Sequence, residues 1–284
     1  MEEQDKFCEY LSGVSPVWCP GCGNYGILSS LVEALGEIDL ATKDIALISG
    51  IGCASRLPYF VKAYGFHGIH GRTLPIAQGV KVANPELTVV AVAGDGDGLA
   101  IGGGHLPHLA RNNTDLTYLM FNNAIYGMTK GQFSPTTALS SITKTTPFGL
   151  FGEPTHPTAL AIVYGATFVA RGFSVKKEQL KDLIIQGIHH RGFSFIEILT
   201  SCSSFNTTDM NVARIIKRLE PVPASHNVED KVEALRLATD EEKIYHGIFQ
   251  RVERPTLEDR LQEVEKAAKK NGARQFEALL GQFQ

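Results

Sequence analysis

Two predicted strand ends in this sequence carry oxygen ligands that could hold a divalent cation. A Gly-Asp-Gly turn centred on Asp95 follows the apolar run at residues 87–93, and Asn123 follows the run at residues 116–121. Since a helical stretch separates the two runs, a right-handed crossover would bring Asp95 and Asn123 to one edge of a parallel sheet. A carboxylate, an amide oxygen and backbone carbonyls suit Mg²⁺, which completes its shell with phosphate oxygens and water.

The cysteines are the second group of side chains with chemical potential. Cys19 and Cys22 form a CxxC motif before a predicted helix, whose N-terminus favours thiolates. Three interpretations are open: an iron–sulfur cluster completed by distant cysteines, a structural CxxC, or a zinc or dithiol site. Zinc would require a second close pair, and Cys53 and Cys202 are isolated. Because Cys202 follows a predicted strand, it is placed on the same sheet edge as Asp95, which favours a ligand.

A glycine-rich turn after the strand at residues 44–49 is close to a dinucleotide-binding fingerprint. Ser55 replaces its third glycine, and no acidic residue occurs between Asp44 and Glu86, where the fingerprint requires one. The turn is therefore not predicted to bind a nicotinamide cofactor. The same interval is basic and includes Arg56, which suits either a solvated face or an anion pocket.

Alternating helical and apolar stretches predict an α/β fold with a mostly parallel sheet flanked by helices. The predicted strands are residues 44–49, 87–93, 116–121, 167–170 and 193–199. The predicted helices are residues 24–35, 158–164 and 177–189, with a short helical face around Leu106. The polar, turn-rich segment at residues 133–156 is expected to be a functional loop or a surface held by a partner.

The chain is predicted to have two parts. Residues 1–220 form the α/β domain, and residues 221–284 are charged and form a largely helical C-terminal arm. Helix starts are predicted at Thr239 and Thr256, from their spacing to acidic residues, and a helix end at Asn271 and Gly272. No chemistry is assigned to this arm.

Composition excludes several classes of partner and compartment. A formal net charge of −3 gives no footprint of a nucleic-acid-binding protein. The acidic N-terminus and the lack of a long apolar stretch predict a soluble, cytoplasmic protein without a membrane partner. Five cysteines, an odd number, argue against a secreted disulfide framework.

Six motifs, in this order, carry a resemblance to a known family. They are WCPGCGN, GIGCASR, GFHGIHGR, GDGDGLAIGGGH, NNAIYGMTKGQ and a late SC before FN. Together they resemble the β subunit of 2-oxoacid:ferredoxin oxidoreductases, over residues 17–206. The resemblance implies the diphosphate-binding fold of thiamine diphosphate enzymes, with thiamine diphosphate, Mg²⁺ and a 4Fe-4S cluster as cofactors.

Site residues follow from the resemblance. The implied cluster ligands are Cys19, Cys22, Cys53 and Cys202, and Cys8 is unmatched. The implied Mg²⁺ ligands are Asp95, Asn123 and the backbone carbonyl of Ile125. The implied thiamine diphosphate contacts are Ile51, Gly52, Cys53, Ala54, His70, Gly96, Asp97, Gly127 and Met128. Arg56 and Lys130 are candidates for binding the substrate or coenzyme A anions, with a solvated surface as the equal alternative. Asn122 departs from related sequences, which often have Asp there.

The implied reaction is the CoA-dependent oxidative decarboxylation of a 2-oxoacid, with electrons passing through the cluster to ferredoxin. Substrate identity leans to 2-oxoglutarate over pyruvate, and the direction, oxidative or carboxylating, is open. Since only a diphosphate-binding domain is recognisable, an α subunit is expected to supply the pyrimidine-binding domain, in a dimer of αβ heterodimers. Two alternatives are a non-redox thiamine diphosphate-dependent decarboxylase or synthase, and an electron-transfer module without catalysis.

Overall fold

The strands form where the sequence has short β-branched and aromatic runs, and they join into one eight-stranded sheet. The computed structural model describes residues 9–270 and residue 281. Its strands are β1 (Ile45–Ser49), β2 (Tyr64–His67), β3 (Thr88–Gly94), β4 (Leu116–Asn122), β5 (Phe168–Phe173), β6 (Phe193–Leu199), β7 (Leu219–Pro221) and β8 (Ile244–Arg251). Their order is β2-β1-β3-β4-β6-β5-β8-β7, and the pairs from β2 through β5 are parallel.

Helices connect and cover the strands. They are α1 (Asn24–Ile38), α2 (Thr73–Ala83), α3 (Asp95–Leu99), α4 (Leu106–Asn112), α5 (Pro157–Tyr164), α6 (Lys177–His189), α7 (Val212–Arg218), α8 (Lys231–Ala238) and α9 (Leu257–Lys270), with 3₁₀ helices at Thr42–Asp44 and Ala54–Tyr59. Among the described residues, no helix has the length and apolar character that a membrane crossing requires.

The sheet is buried on both faces because alternate side chains of its central strands point into two different core layers. Val90 and Val92 of β3 pack in the layer that contains α1 and α6. Ala91 and Ala93 of the same strand pack in the layer that contains α2, α4 and α5. This arrangement explains why β3 is a continuous apolar run, and it confirms the predicted parallel sheet flanked by helices.

The register of the central strands brings several chain ends to one edge of the sheet. Gly94, the last residue of β3, pairs with Phe121 of β4. Asn122, the last residue of β4, pairs with Leu199, the last residue of β6. The segments that follow β3, β4 and β6 therefore leave the sheet side by side, as predicted for Asp95 and its neighbours.

The predicted helical arm is wrong for the region before α9. β8 lies inside the sheet, antiparallel to β5, because its buried Tyr245 and Phe249 belong to a core layer. The division predicted after residue 220 falls within β7, and Thr239 caps the end of α8 instead of starting a helix. The second predicted start is confirmed: Thr256 Oγ1 accepts a 3.1 Å hydrogen bond from the Asp259 backbone at the start of α9. The predicted helix end at residues 271–272 lies outside the described residues.

Candidate active site

A cavity of about 450 Å³ opens at the carboxyl edge of the sheet. Its lining includes every residue predicted to contact thiamine diphosphate or Mg²⁺: Ile51, Gly52, Cys53, Ala54, His70, Asp95, Gly96, Asp97, Asn123, Ile125, Gly127 and Met128. The residues that the sequence did not indicate are Asn24, Gly94, Phe121, Tyr126, Thr129 and Gln132. The structure thus brings the predicted side chains of four separate segments to one place.

Asp95 is a buried carboxylate at the start of α3. Only 2% of the residue is exposed. Its Oδ2 atom accepts hydrogen bonds from Ser134 Oγ at 2.5 Å and Thr136 Oγ1 at 2.7 Å. Burial raises the pKa of Asp95, and the two hydroxyl donors act against that rise. A carboxylate so placed is fixed in orientation and gains from a bound cation, which offsets the cost of burying its charge.

Asn123 and Ile125 lie on a tight turn directly after β4. Asn123 Oδ1 accepts a 3.1 Å hydrogen bond from the Ile125 backbone N–H, which holds the turn together. Ala124 between them has a φ of 53°, in the left-handed region that a residue with a Cβ rarely adopts. Such strain persists only where neighbouring contacts hold it, and it is typical of ligand-binding turns.

Asp97 ties together the segments that follow β1, β2 and β3. Its Oδ1 atom accepts hydrogen bonds from Gly71 N at 2.7 Å and Ile51 N at 3.2 Å. His70 Nδ1 lies 2.6 Å from the same oxygen. The approach is so close that a Cβ on Gly50 would lie 2.0 Å from Asp97 Oδ2. Asp97 lines the cavity, but its described bonds shape the cavity wall.

Tyr126 closes the cavity beside Gly96. Its hydroxyl donates a 2.9 Å hydrogen bond to the Gly96 carbonyl oxygen. A Cβ on Gly96 would lie 2.4 Å from the Tyr126 ring, so only glycine fits there. The Gly-Asp-Gly motif is therefore explained by close approach on both of its sides.

The CxxC loop packs against the segment after β6 that carries Cys202. Gly23 N donates a 3.1 Å hydrogen bond to the Ser201 carbonyl. Ser203 Oγ donates a 2.8 Å hydrogen bond to the Pro20 carbonyl. These bonds bring Cys202 alongside the motif, although the two segments are far apart in sequence.

Four free thiols, those of Cys19, Cys22, Cys53 and Cys202, are grouped beside the cavity. Burial raises the pKa of Cys22 to about 11, the Asn24 N–H at the start of α1 acts to lower it, and the other three cysteines add to the rise. The helix N-terminus therefore does not favour the Cys22 thiolate overall, contrary to the expectation from sequence, because burial outweighs it.

No group of three or more His, Cys, Asp or Glu side chains in the described part of the chain is arranged to hold a single metal ion. The four irons of a cubane lie on separate corners, so its thiolates need a wider spacing than the ligands of one ion. The grouping of four thiols fits such a cluster.

Arg56 and Lys130 do not line the cavity, although both are described. Arg56 lies on the 3₁₀ helix after Cys53, and its charge acts to lower the pKa of that thiol, against the larger effect of burial. Lys130 is exposed on a turn with a φ of 74°. Their roles toward substrate or coenzyme A anions remain predictions.

Several residues that shape the site were not found from the sequence. Ser134 and Thr136 belong to the segment at residues 133–156, which was predicted to be functional, but nothing in its pattern indicated which hydroxyls would reach Asp95. Tyr126 and the buried Glu197 of β6 carried no spacing signal either. Each acts through a contact between segments distant in sequence.

Comparison with known proteins agrees with this geometry. The family model described as "Thiamine pyrophosphate enzyme, C-terminal TPP binding domain" matches residues 50–198. A second model, which describes the C terminal of the pyruvate ferredoxin oxidoreductase beta subunit, matches residues 202–266. The 2-oxoglutarate synthase subunit KorB of Methanothermobacter marburgensis is 38% identical over 263 residues, covering 91% of this chain and 92% of the relative.

The chain belongs to the β-subunit family of 2-oxoacid:ferredoxin oxidoreductases.

Other members of the family differ in length. The 2-oxoglutarate oxidoreductase subunit KorB of Mycobacterium tuberculosis is 44% identical over 213 residues, which cover 75% of this chain but only 57% of that protein. The chain thus spans less than two thirds of the length of some relatives. A solved 2-oxoglutarate:ferredoxin oxidoreductase from Magnetococcus marinus, with 2-oxoglutarate, coenzyme A and succinyl-CoA bound, matches with a TM-score of 0.94 and 38% identity, covering 100% of this chain and 96% of that one.

Proposed function

We propose that this chain is the β subunit of a CoA-dependent oxidoreductase that decarboxylates a 2-oxoacid, with 2-oxoglutarate favoured, to acyl-CoA and CO₂ and passes the electrons to ferredoxin. One observation carries the proposal. A Cβ built at Gly127 would lie 3.7 Å from the Sγ atoms of both Cys53 and Cys202, and 3.8 Å from Asn123 Nδ2. A single backbone position therefore borders both the thiols and the oxygen-rich cavity, as electron transfer between two cofactors requires.

The cavity fits thiamine diphosphate by its size and by its glycine-lined wall. Glycines at positions 52, 96 and 127 allow a large anion to approach the backbone. The contacts in this proposal are those predicted from the sequence, together with Tyr126, whose bond to Gly96 fixes the wall. When bound, thiamine diphosphate supplies the carbon nucleophile that adds to the keto group of a 2-oxoacid. The protein's part is to orient it and to exclude water.

Mg²⁺ would be held by Asp95, the Asn123 side chain and the Ile125 carbonyl. The fit lies in the donor set: a buried carboxylate, an amide and a backbone carbonyl on two adjacent turns, all lining one cavity. The hydroxyls of Ser134 and Thr136 hold the carboxylate in place. The ion would join the diphosphate to the protein.

The 4Fe-4S cluster would be held by Cys19, Cys22, Cys53 and Cys202. Thiolate ligands are those that such clusters use, and metal binding displaces their protons despite a raised pKa. When bound, the cluster accepts electrons one at a time and passes them on. The hydrogen bond from Trp18 to the Cys53 carbonyl and those between the CxxC loop and the β6 segment keep the four ligands together.

The partners in this proposal are an α subunit, ferredoxin and coenzyme A. The α subunit would supply the pyrimidine-binding domain, and the assembly would be a cytoplasmic dimer of αβ heterodimers. Coenzyme A and 2-oxoglutarate are bound in the solved Magnetococcus marinus relative, which supports both as reactants here. Arg56 and Lys130 remain candidates for contacting their anionic groups.

The alternatives leave part of the site without a use. A non-redox thiamine diphosphate enzyme needs no group of four thiols beside the cavity. An electron-transfer module needs no buried carboxylate and turn of the kind formed by Asp95 and Asn123. Only the oxidoreductase uses both.

The decisive experiment uses the chain purified anaerobically with its α subunit. We expect a broad visible absorbance from the cluster, release of thiamine diphosphate on denaturation, and CoA-dependent reduction of ferredoxin with 2-oxoglutarate faster than with pyruvate. Full electron transfer by an iron-free preparation would disprove the cluster's role. Turnover by this chain alone would disprove the need for the α subunit.

A further inference from the structure

We propose that Glu197, a buried carboxylate within β6, is a positioning residue that sets the geometry of the metal-binding turns through the Asn122 side chain. The inference rests on the proposed Mg²⁺ and thiamine diphosphate site. Glu197 is 2% exposed and Asn122 is 6% exposed, so neither contact is made to solvent. Glu197 is not among the residues that line the cavity.

Both ends of the Asn122 amide are held by specific partners. Its Nδ2 donates a 2.7 Å hydrogen bond to Glu197 Oε1. Its Oδ1 accepts from Ala124 N at 3.1 Å and from Thr136 Oγ1 at 2.9 Å. Because Glu197 can only accept, it determines which end of the amide faces β6 and which end faces the site.

Asn122 reaches both halves of the metal site from this position. Its bond to Ala124 N holds the left-handed residue at the centre of the turn that carries Asn123 and Ile125. Its bond to the Thr136 hydroxyl fixes the side chain that also contacts Asp95 Oδ2 at 2.7 Å. A change at Glu197 is thus expected to be felt at both proposed metal-binding turns.

Glu197 is itself held as a charged group. Arg171 Nε donates to its Oε2 at 2.8 Å, and Thr158 Oγ1 donates to the same atom at 2.5 Å. Burial acts to raise the pKa of Glu197, but the Arg171 charge, with the bonds from Thr158, Arg171 and Asn122, outweighs burial and lowers it. Removing one partner of such a buried network leaves the others unsatisfied, which is costly.

This arrangement explains why an amide is needed at position 122 in this chain. A carboxylate there would place two negative charges 2.7 Å apart, with no hydrogen between them. Exchanging the two groups, as in Asn122→Asp with Glu197→Gln, would restore one donor and one acceptor and leave the net charge unchanged. The geometry therefore predicts that the double variant rescues the single one.

The test measures the Mg²⁺ concentration that gives half-maximal thiamine diphosphate binding, by calorimetry on the complex with the α subunit. We expect about a tenfold increase for N122D and for E197Q, and recovery to within about threefold of the wild type for N122D/E197Q. Thr136→Val, which breaks the link without a charge change, should act in the same direction as E197Q. Glu233→Gln, at an exposed ion pair with Arg236, is the matched control.

The outcomes separate this inference from the proposed function. Wild-type half-saturation in N122D, E197Q and T136V would overturn the inference. A double variant as weak as N122D would also overturn it, because a general loss of packing would not be rescued by the exchange. If N122D does not fold, E197Q and T136V still decide. If the wild-type complex binds no thiamine diphosphate with Mg²⁺, the proposed function fails instead, and with it the basis of the inference.

Discussion

Trp18 Nε1 donates a 2.7 Å hydrogen bond to the backbone carbonyl of Cys53. The indole also packs edge-on against Phe60, with ring centroids 4.8 Å apart. Trp18 immediately precedes the CxxC motif, so this one bond joins the segment carrying Cys19 and Cys22 to the segment carrying Cys53. The tryptophan thus fixes the relative position of three proposed cluster ligands.

Replacing Trp18 by Phe should make the cluster more labile. The ring can still pack against Phe60, but the donor is lost, at a cost of about 1 kcal/mol or roughly fivefold in an equilibrium. We expect the visible absorbance of the cluster to decay about fivefold faster in the presence of an iron chelator. Tyr64→Phe, at a residue 62% exposed, is the control. Equal decay of W18F and wild type would show that the bond does not matter for the cluster.

Gly127→Ala should impair cofactor binding without unfolding the chain. The added Cβ meets Cys53, Cys202 and Asn123 only at ordinary van der Waals distances of 3.7–3.8 Å. The melting temperature should therefore change little, whereas the space between the thiols and the cavity is filled. We expect lower iron content or weaker thiamine diphosphate binding, measured on the purified complex.

The matched control for this change is Gly104→Ala, because a Cβ at Gly104 has nothing within 4 Å. It should leave iron content, thiamine diphosphate affinity and melting temperature as in the wild type. Normal loading of both cofactors in G127A would contradict the role given to this position. A large fall in its melting temperature would contradict the steric argument.

Sequence patterns predicted the elements that bury an apolar face. β3, β4 and β6 were found because each is a short, continuous apolar run buried on both sides. β2 was missed because its residues are exposed or only half-buried, so it lacks a hydrophobic signal. β8 was missed because charged residues around it suggested a helical arm, while its partner β5 is far away in sequence.

The site could be predicted where a motif contains its own chemistry. Asp95, Asn123 and the four cysteines are recognisable by residue type and by their place after strands. Thr136 and Glu197 could not be recognised, because an isolated hydroxyl or a carboxylate inside a strand gains its role only from a tertiary contact. Their partners come from other segments, and no local spacing encodes such contacts.

The reciprocal bonds at the start of α9 should make Thr256 a stabilising cap. Thr256 Oγ1 accepts from Asp259 N at 3.1 Å, and Asp259 Oδ2 accepts from Thr256 N at 3.0 Å. Thr256→Ala should lower the free energy of unfolding by about 1 kcal/mol, measured by urea denaturation. Thr239→Ala is the comparison, since Thr239 lies at the end of α8 and should cost less than about 0.5 kcal/mol. Equal costs would argue against a capping role.

His246 should make the protein less stable in mild acid. Its Nε2 lies 3.1 Å from Lys176 Nζ, and the side chain is buried within β8. Burial, followed by the Lys176 charge, lowers the pKa of His246 to about 4 from 6.5, against a smaller opposing effect of Glu220. Between those two values the unfolded chain binds a proton that the folded chain does not, so the free energy of unfolding rises with pH there.

The contribution of His246 is therefore complete above pH 6.5 and is lost as the pH falls toward 4. His246→Gln removes this titration, so the slope of unfolding free energy against pH should be smaller than in the wild type across that window. The exposed His189 provides the control, as His189→Gln removes a histidine without a buried site and should keep the wild-type slope. Urea denaturation at a series of pH values measures all three slopes, and an unchanged slope in H246Q would place the acid sensitivity elsewhere.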